Sequence, residues 1–480
     1  MDSKLSHYNF YIPIKQSGVY LIYNSFTNSL FELPFEIGSL LDNIKQTEQD
    51  LSIVPDKYLK QLIEEGFIID KLKNEIEITH RIKRNFFTNY QTKTNILSFT
   101  LLLTNYCNLD CVYCFEGRTK PQESVLSPEI IDSIIEFTKS EMKNKKINEL
   151  HIGWYGGEPL LYPNLIQKYS EIFINFCNKC SINYKASIIT NGVNLTLKNY
   201  DILKQAKVNN IQITIDGEKN IHDKRRPFLK SKRSSYEIIL NNLKNLPNDD
   251  IPIAIRINGD KEVLPTVNIL FEDLIKNAIW PQRKNVFLYL GHTKSSTGYA
   301  SKTLFTRKEY ADAVMQLRKL KFNLYNKWAI NHQAPQAKYK FQYPQISHNY
   351  CGTLNNENAM VIDSFGNVSK CWEHVNDTST IVGNIKDNLN AIKTSTKYQE
   401  IINTFTIQEK CSVCKIFPVC NGTFCPTNSF KIKTTCSTWK YNISKILKDQ
   451  YLLTLNSPEQ IEPINCVEVR INEKIIGEKI

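Results

Sequence analysis

Leu101-Leu102-Leu103-Thr104-Asn105-Tyr106-Cys107-Asn108-Leu109-Asp110-Cys111-Val112-Tyr113-Cys114-Phe115 decides how the chain folds. Its apolar start closes a run, Ile96–Leu103, whose composition predicts a β-strand. The loop that follows carries three cysteines spaced C-x3-C-x2-C. Three thiolates on one short loop can hold three irons of a cubane cluster and leave the fourth iron to a non-protein ligand. A structural zinc site instead uses four ligands in paired Cys or Cys/His sets, and no histidine lies near this loop in sequence.

Downstream, runs rich in β-branched residues recur at Leu150–Tyr155, Tyr184–Thr190, Ile211–Ile215, Ile251–Ile257 and Val286–Leu290. Amphipathic segments such as Pro128–Lys145, Leu161–Cys177 and Tyr236–Leu246 alternate with them. Six strand–helix units predict an α/β fold with parallel strands, as an open sheet or a partial barrel, and chemistry at the strands' carboxyl ends. The polar motifs fall there. Gly156-Gly157-Glu158-Pro159 follows the second strand, where glycine permits close backbone approach and the carboxylate can pair with an ammonium. Thr190-Asn191-Gly192 ends the third strand, Ile215-Asp216-Gly217 the fourth, and Arg256 lies at the end of the fifth. Asn191 and Asp216 also suit turns before helices.

The cysteine loop, with Tyr113 before its last cysteine, resembles the signature of the radical S-adenosylmethionine (SAM) superfamily. The resemblance implies a partial (β/α)6 TIM-like barrel and a [4Fe-4S] cluster on Cys107, Cys111 and Cys114. The open iron of that cluster binds SAM, and one electron cleaves SAM to methionine and a 5′-deoxyadenosyl radical. It further implies SAM contacts from Tyr113, Gly156, Gly157, Glu158, Asn191, Asp216 and, through its carboxylate, Arg256.

A second cysteine-dense segment holds Cys351, Cys371, Cys411, Cys414, Cys420, Cys425 and Cys436, with too little apolar content to fold without metal. It resembles the SPASM domain, which carries two auxiliary four-iron clusters. By that resemblance Cys411, Cys414, Cys420 and Cys436 hold the outer cluster, and Cys351, Cys371 and Cys425 the inner one. Four residues separate Cys420 from Cys425 where the family usually has three. Of the 13 cysteines this leaves Cys177, Cys180 and Cys466. The first two are read as structural. Cys466 is either an inert cysteine or a fourth inner ligand.

The first 92 residues are predicted to form a separable winged-helix-like domain. Strands are expected over Tyr8–Pro13 and Val19–Pro34 with a turn at Asn24–Asn28, helices over Phe35–Ile44 and Pro55–Glu65, and a β-rich wing over Phe67–His80. This pattern resembles the recognition element of enzymes that mature ribosomally made peptides (RiPPs), which add a leader peptide as a strand to a sheet edge. The expected division is 1–92, the barrel at 93–300, a bridging helix at 301–350, the SPASM segment at 351–440, and a terminal helix and tail at 441–480.

Composition excludes several classes. The chain has 480 residues, 41% of them hydrophobic and 22% charged, which suits a globular protein. Its start lacks a secretory signal, no apolar run reaches the ~18 residues of a membrane span, and a disulfide framework is not expected. A cytoplasmic protein without membrane association follows. The net charge of +12 comes from scattered residues, so nucleic acid is not an expected partner and a Lys-, Asn- and Ile-rich codon bias accounts for it.

The expected function is a radical SAM oxidoreductase that matures a precursor peptide through its leader. It abstracts a side-chain hydrogen and forms a C–C, C–S or C–O crosslink, with the auxiliary clusters taking up an electron. An external flavodoxin or ferredoxin supplies the reducing electron. Formylglycine formation, as in anaerobic sulfatase maturation, and peptide epimerisation are alternatives. In sulfatase-maturing relatives a carboxylate base follows the Gly-x4-Cys cysteine, whereas Trp372 follows Cys371 here and Glu373 lies one place on. Glu373 and His222, in Ile221-His222-Asp223-Lys224-Arg225-Arg226-Pro227, are the remaining candidate acid–base groups, and His222 equally suits a cap or core position. A non-catalytic iron–sulfur electron carrier or a zinc scaffold is the reading from another class.

Overall fold

A computed structural model describes residues 2–47, 50–92, 95–117, 123–293, 302–338, 341–344, 351, 353, 356–375, 377–387, 389–403, 407–420 and 436–456. Cys425, Cys466 and the strand expected near Cys466 lie outside them. The chain divides into two compact units. One comprises Met1–Asn89, Gln333–Tyr350 and Phe405–Ile480, the other Tyr90–His332 and Cys351–Thr404. The expected SPASM segment is thus divided between Thr404 and Phe405.

In the first unit, β1 (Ser3–Leu5), β2 (Asn9–Ile14), β3 (Val19–Asn24), β4 (Ser29–Pro34) and β5 (Ile68–Asp70) make two sheets. β2, β3 and β4 form an antiparallel sheet in chain order, and β1 pairs with β5. Side chains alternate across β3, and both faces are covered. Ile22 packs with Leu33, Leu41, Leu62 and Phe67 on one side. Ile12, Ile14, Leu21 and Tyr23 pack on the other with Ile416, Val419, Cys420, Ile443, Leu447 and Tyr451.

Two expectations are corrected here. The N-terminal region is not separable, because one face of its sheet shares a core with residues 416–420 and the terminal helix Trp439–Asn456. The wing is also absent from Phe67–His80: only Ile68–Asp70 is a strand, and Glu75–Thr92 is a helix. Glu75, Thr79, Lys83 and Phe87 are all buried, an i, i+4 stripe that fixes the helix by packing although three of its members are polar.

In the second unit, β6 (Ile96–Leu102), β7 (Glu149–Tyr155), β8 (Asn183–Ile189), β9 (Val208–Thr214), β10 (Ile253–Gly259) and β11 (Val286–His292) pair in parallel, each beside its predecessor. Helices Pro128–Asn144, Pro163–Cys180, Leu197–Gln205, Ser235–Asn245 and Val267–Lys276 intervene. This is the partial barrel read from the sequence. β12 (Ala359–Ile362) joins β6 in parallel, and β13 (Asn367–Ser369) and β14 (Ile381–Asn384) extend the sheet antiparallel to nine strands. Along β7, Leu150, Ile152 and Trp154 are buried while His151, Gly153 and Tyr155 occupy the other face. No helix among the described residues is long and apolar enough to cross a membrane.

The shared core predicts that Leu447→Ala destabilises the full chain by about 2–5 kcal/mol. Amide exchange in β2 and β3 should quicken with it, whereas a separable N-terminal domain would keep its protection.

Candidate functional site

The cysteine loop leaves β6 and is held by backbone. The Asp110 amide donates to the Pro227 carbonyl at 2.8 Å, Val112 to Arg225 at 3.0 Å, and Leu229 to Asn108 at 2.9 Å. Residues 225–229, part of the segment singled out around His222, therefore act as the loop's antiparallel partner, with Leu109 bridged to Phe228.

On the other flank Gly157, at φ 35°, approaches Tyr106 so closely that a Cβ would lie 2.0 Å from its carbonyl oxygen. The Glu158 amide donates to that same carbonyl at 2.8 Å. The Glu158 carboxylate is buried and accepts from Thr190 Oγ1 and the Asn191 amide at 2.6 Å and from the Leu160 amide at 2.8 Å. It clamps the ends of β7 and β8 together, and burial pushes its carboxyl up against the pull of those bonds. Asn191 Nδ2 donates to Asn108 Oδ1 at 2.7 Å and lies 3.7 Å from Cys107 Sγ.

Asp216, fully buried at the end of β9, accepts from the Tyr113 hydroxyl, from the Asn258 amide at 3.0 Å and from Arg225 Nε at 3.5 Å. Arg225 also pairs with Asp260 at 2.6 Å, and its guanidinium lies 5.0 Å from the Tyr113 ring centroid. Arg226 Nη1 and Asn258 Nδ2 donate to the Tyr113 hydroxyl at 2.8 and 3.0 Å. Tyr113 is thus pinned at both ring and hydroxyl.

His222 is fully buried, and its Nδ1 accepts the Asp216 amide at 3.1 Å, so the proton resides on Nε2. Burial, then the Arg226 and Arg225 charges, push its pKa well below the ordinary value and keep it neutral. The geometry gives it the core role: it props the Asp216 turn.

Arg256 donates from Nε to Asn258 Oδ1 at 2.8 Å and makes no other hydrogen bond or ion pair among the described residues. A Cβ at Gly291 would come within 2.6 Å of that guanidinium, so glycine on β11 leaves the room it occupies. Burial pushes the Tyr155 hydroxyl well above its ordinary pKa, with the Glu116, Cys114 and Glu373 charges adding to the rise and Arg256 opposing it. Tyr155 also stacks with Phe115 at 6.4 Å and meets Trp372 at 6.4 Å, so the residues after Cys114 and after Cys371 flank one aromatic row. Sequence reasoning missed Glu116, which accepts the Gly157 amide at 2.7 Å, and the roles of Arg225, Arg226 and Asn258. Only the Arg-Arg pair beside a motif histidine offered a signal.

The donor set suits clusters: three thiols on one loop can each bind a different iron. Burial pushes the Cys107 thiol up, and Cys111, Glu158 and Cys114 push it further, a mutual repulsion that a shared cationic core removes. In the other unit, burial and then Cys420, Cys414 and Cys436 raise Cys411 to about 11, which joins the four cysteines assigned to the outer cluster. Between Cys351 and Cys371, Lys370 is buried with Nζ 2.6 Å from the Asn356 carbonyl, and burial holds its pKa down to about 7 against the pull of the Cys351 thiol.

A partial parallel barrel with a three-cysteine loop at the carboxyl end of its first strand defines a class of cluster-bearing α/β proteins. Residues 101–264 match the model of the radical SAM superfamily and residues 351–415 that of the SPASM iron-sulfur cluster-binding domain. The chain is a radical SAM protein with a SPASM domain, and it resembles maturases of ribosomally made peptides. It is 26% identical over 215 residues to the radical SAM cyclopropyl synthase TigE of Paramaledivibacter caminithermalis, covering 40% of this chain and 45% of TigE. It is 27% identical over 162 residues to the sporulation killing factor maturation protein SkfB of Bacillus subtilis, covering 33% of this chain and 35% of SkfB. Each match thus spans less than half of the relative's own length. The structure of native anSMEcpe with bound AdoMet shares the fold at a TM-score of 0.55 and 19% identity, over 75% of this chain and 97% of that one.

Removing Asp216 leaves Arg225 paired with Asp260 but takes one of two buried carboxylates from beside Arg225 and Arg226, and the acceptor from the Tyr113 hydroxyl and the Asn258 amide. Asp216→Ala is expected to destabilise the protein by about 3–5 kcal/mol, and Tyr113→Phe by about 1–3 kcal/mol. Denaturant titration of both variants checks the order.

Proposed function

We propose that the protein is a radical SAM peptide maturase that abstracts a hydrogen from a side chain of a precursor peptide and closes a C–C, C–S or C–O crosslink. The observation that carries this reading is that Asn258 joins Arg256 to the backbone-pinned cysteine loop: its Oδ1 accepts from Arg256 Nε at 2.8 Å and its Nδ2 donates to the Tyr113 hydroxyl at 3.0 Å, at the carboxyl ends of the barrel strands. When bound to a four-iron cluster on Cys107, Cys111 and Cys114, SAM supplies the 5′-deoxyadenosyl radical by one-electron reductive cleavage.

The chain's own residues do the rest. Arg256 offers a bidentate fork to the SAM carboxylate. The Gly156–Gly157 turn brings backbone within reach of the methionine moiety, and Glu158, Asn191, Asp216 and Tyr113, the further SAM contacts of this reading, also hold strand ends and loop in place. The aromatic row of Phe115, Tyr155 and Trp372 gives the site an apolar wall that would exclude water once a substrate covers it.

A peptide substrate is supported by the maturation chemistry named for SkfB and by the β2–β3–β4 sheet, whose outer strands offer edges to an extended leader. After ring closure the substrate must lose one electron. The reading assigns this to an inner auxiliary cluster on Cys351, Cys371 and Cys425 with an outer one on Cys411, Cys414, Cys420 and Cys436 as relay, and the reducing electron to a flavodoxin or ferredoxin. Trp372 follows Cys371 where sulfatase-maturing enzymes carry their base, and Glu373 lies one place on, which disfavours formylglycine formation.

Three tests follow from this assignment. Cys111→Ala should abolish 5′-deoxyadenosine production, and Arg256→Ala should weaken SAM binding about 10- to 100-fold, the worth of one charged hydrogen bond. Cys414→Ala should retain SAM cleavage while suppressing the product, seen by mass spectrometry of a co-expressed peptide as the loss of two hydrogens. Equal loss of both activities in Cys414→Ala would reduce the outer site to a folding role.

A further inference from the structure

The loop Cys411–Cys420 is gripped by the N-terminal segment at several points. His7 Nε2 meets the Val413 carbonyl at 3.0 Å, Lys415 Nζ donates to the Asn9 carbonyl at 2.8 Å, and the Ser25 hydroxyl donates to the Lys415 carbonyl. The deepest contact comes from the helix Glu75–Thr92. Lys83 is 2% exposed, its Nζ donates to the Cys420 carbonyl at 3.3 Å, and it lies 5.8 Å from the Phe417 ring centroid. His80, one turn earlier, packs edge-on against the same Phe417 ring at 5.6 Å.

A surface lysine keeps its ammonium in water, whereas this one is drawn inward to a cysteine that belongs to a four-thiol set. Burying a cation is costly unless negative charge compensates it. A cluster on four thiolates carries net negative charge and gains another on reduction, and net charge is among the terms that set its potential. A nearby desolvated cation therefore favours the reduced state more than the oxidised one.

We infer that Lys83 is a positioning residue of the outer cluster, through which the N-terminal region supplies the positive charge that raises that cluster's reduction potential. The candidate docking domain for a leader and the outer electron relay are then one electrostatic unit. Whatever docks on the N-terminal sheet and shifts helix Glu75–Thr92 changes how readily the relay takes an electron. This rests on the reading that Cys411, Cys414, Cys420 and Cys436 hold a four-iron cluster.

The test uses the full chain, reconstituted anaerobically with iron and sulfide, with Cys107→Ala, Cys111→Ala and Cys114→Ala in the background to silence the first site. Iron content and a redox titration followed by electron paramagnetic resonance are measured, and the outer signal is identified by its disappearance in Cys414→Ala. Lys83→Gln, which keeps a donor but no charge, should retain its iron. At a fixed potential its reduced-to-oxidised ratio should fall tenfold or more, which is 59 mV for a one-electron couple. Lys83→Arg should restore the ratio to within about threefold, since the guanidinium keeps the charge. An unchanged potential in Lys83→Gln overturns the inference and leaves a plain hydrogen bond to Cys420. Loss of iron in both variants overturns it too, because shape rather than charge would then be required. A background protein that binds no auxiliary iron at all instead refutes the cluster assignment itself.

Discussion

The Asp216 carboxylate holds together a loop that has no core of its own. It accepts from Tyr113 in the cysteine loop, from the Asn258 amide on β10 and from Arg225 at the end of the helix Lys219–Arg225. Each partner is itself shared, since Arg225 also binds Asp260 and the Tyr113 hydroxyl also takes Arg226 and Asn258. Breaking any link leaves a buried polar group short of a partner, so the contributions of the members are coupled. Residues between Tyr106 and Phe115 bring mainly polar groups and thiols, and such a loop keeps one geometry only when its backbone is paired outside itself. The strand-like partner Arg225–Leu229 supplies that pairing, and Asp216 fixes where the partner lies.

The same constraint is met differently in the other unit. The sequence predicts that the second cysteine-dense segment depends on metal for its folding energy, yet Ile416, Phe417 and Val419 are buried, and Ile416 and Val419 pack with Ile443 and Leu447 against the β2–β3 face. The apolar residues that this segment lacks are contributed by the chain's first 25 positions and its terminal helix. A sheet buried on both faces explains why Leu21, Ile22 and Tyr23 run apolar without alternation, which a one-sided wing would not need.

The barrel was legible because its signals are local. All six strands were recognisable as runs of β-branched residues, and the glycine and cysteine motifs follow them directly in the chain. The helix Glu75–Thr92 was not, because Glu-Ile-Glu-Ile-Thr alternates like a strand while the buried stripe of Glu75, Thr79, Lys83 and Phe87 is mostly polar. Hydropathy cannot find a core face made of Glu, Thr and Lys. Glu75 is there to accept from Ser6 and the His7 amide, partners 69 and 68 residues away. The protein partners of the acidic motif residues were hidden for a related reason. Those of Glu158 and Asp216 come from other strands and from the cysteine loop. A strand-end carboxylate in a buried site is satisfied by the nearest amides and guanidinium groups before any ligand arrives.

That conclusion bears on which groups remain for chemistry. With Asp216 committed to the loop, Glu158 to β8 and His222 neutral and enclosed, the ionisable groups that act on the Tyr155 hydroxyl are Glu116, Arg256 and Glu373, together with Cys114. Glu116 is taken by the Gly157 amide, and Arg256 is a cation that can bind but not accept a proton at neutral pH. Beside them Trp372 is 41% exposed, a large apolar surface next to a site built from charge. Such surface is stabilised by covering it, and a peptide side chain entering between Tyr155 and Trp372 would do so while excluding water from Glu373. On the proposed peptide-maturase reading, Glu373 would then meet a substrate proton only once that aromatic row is covered.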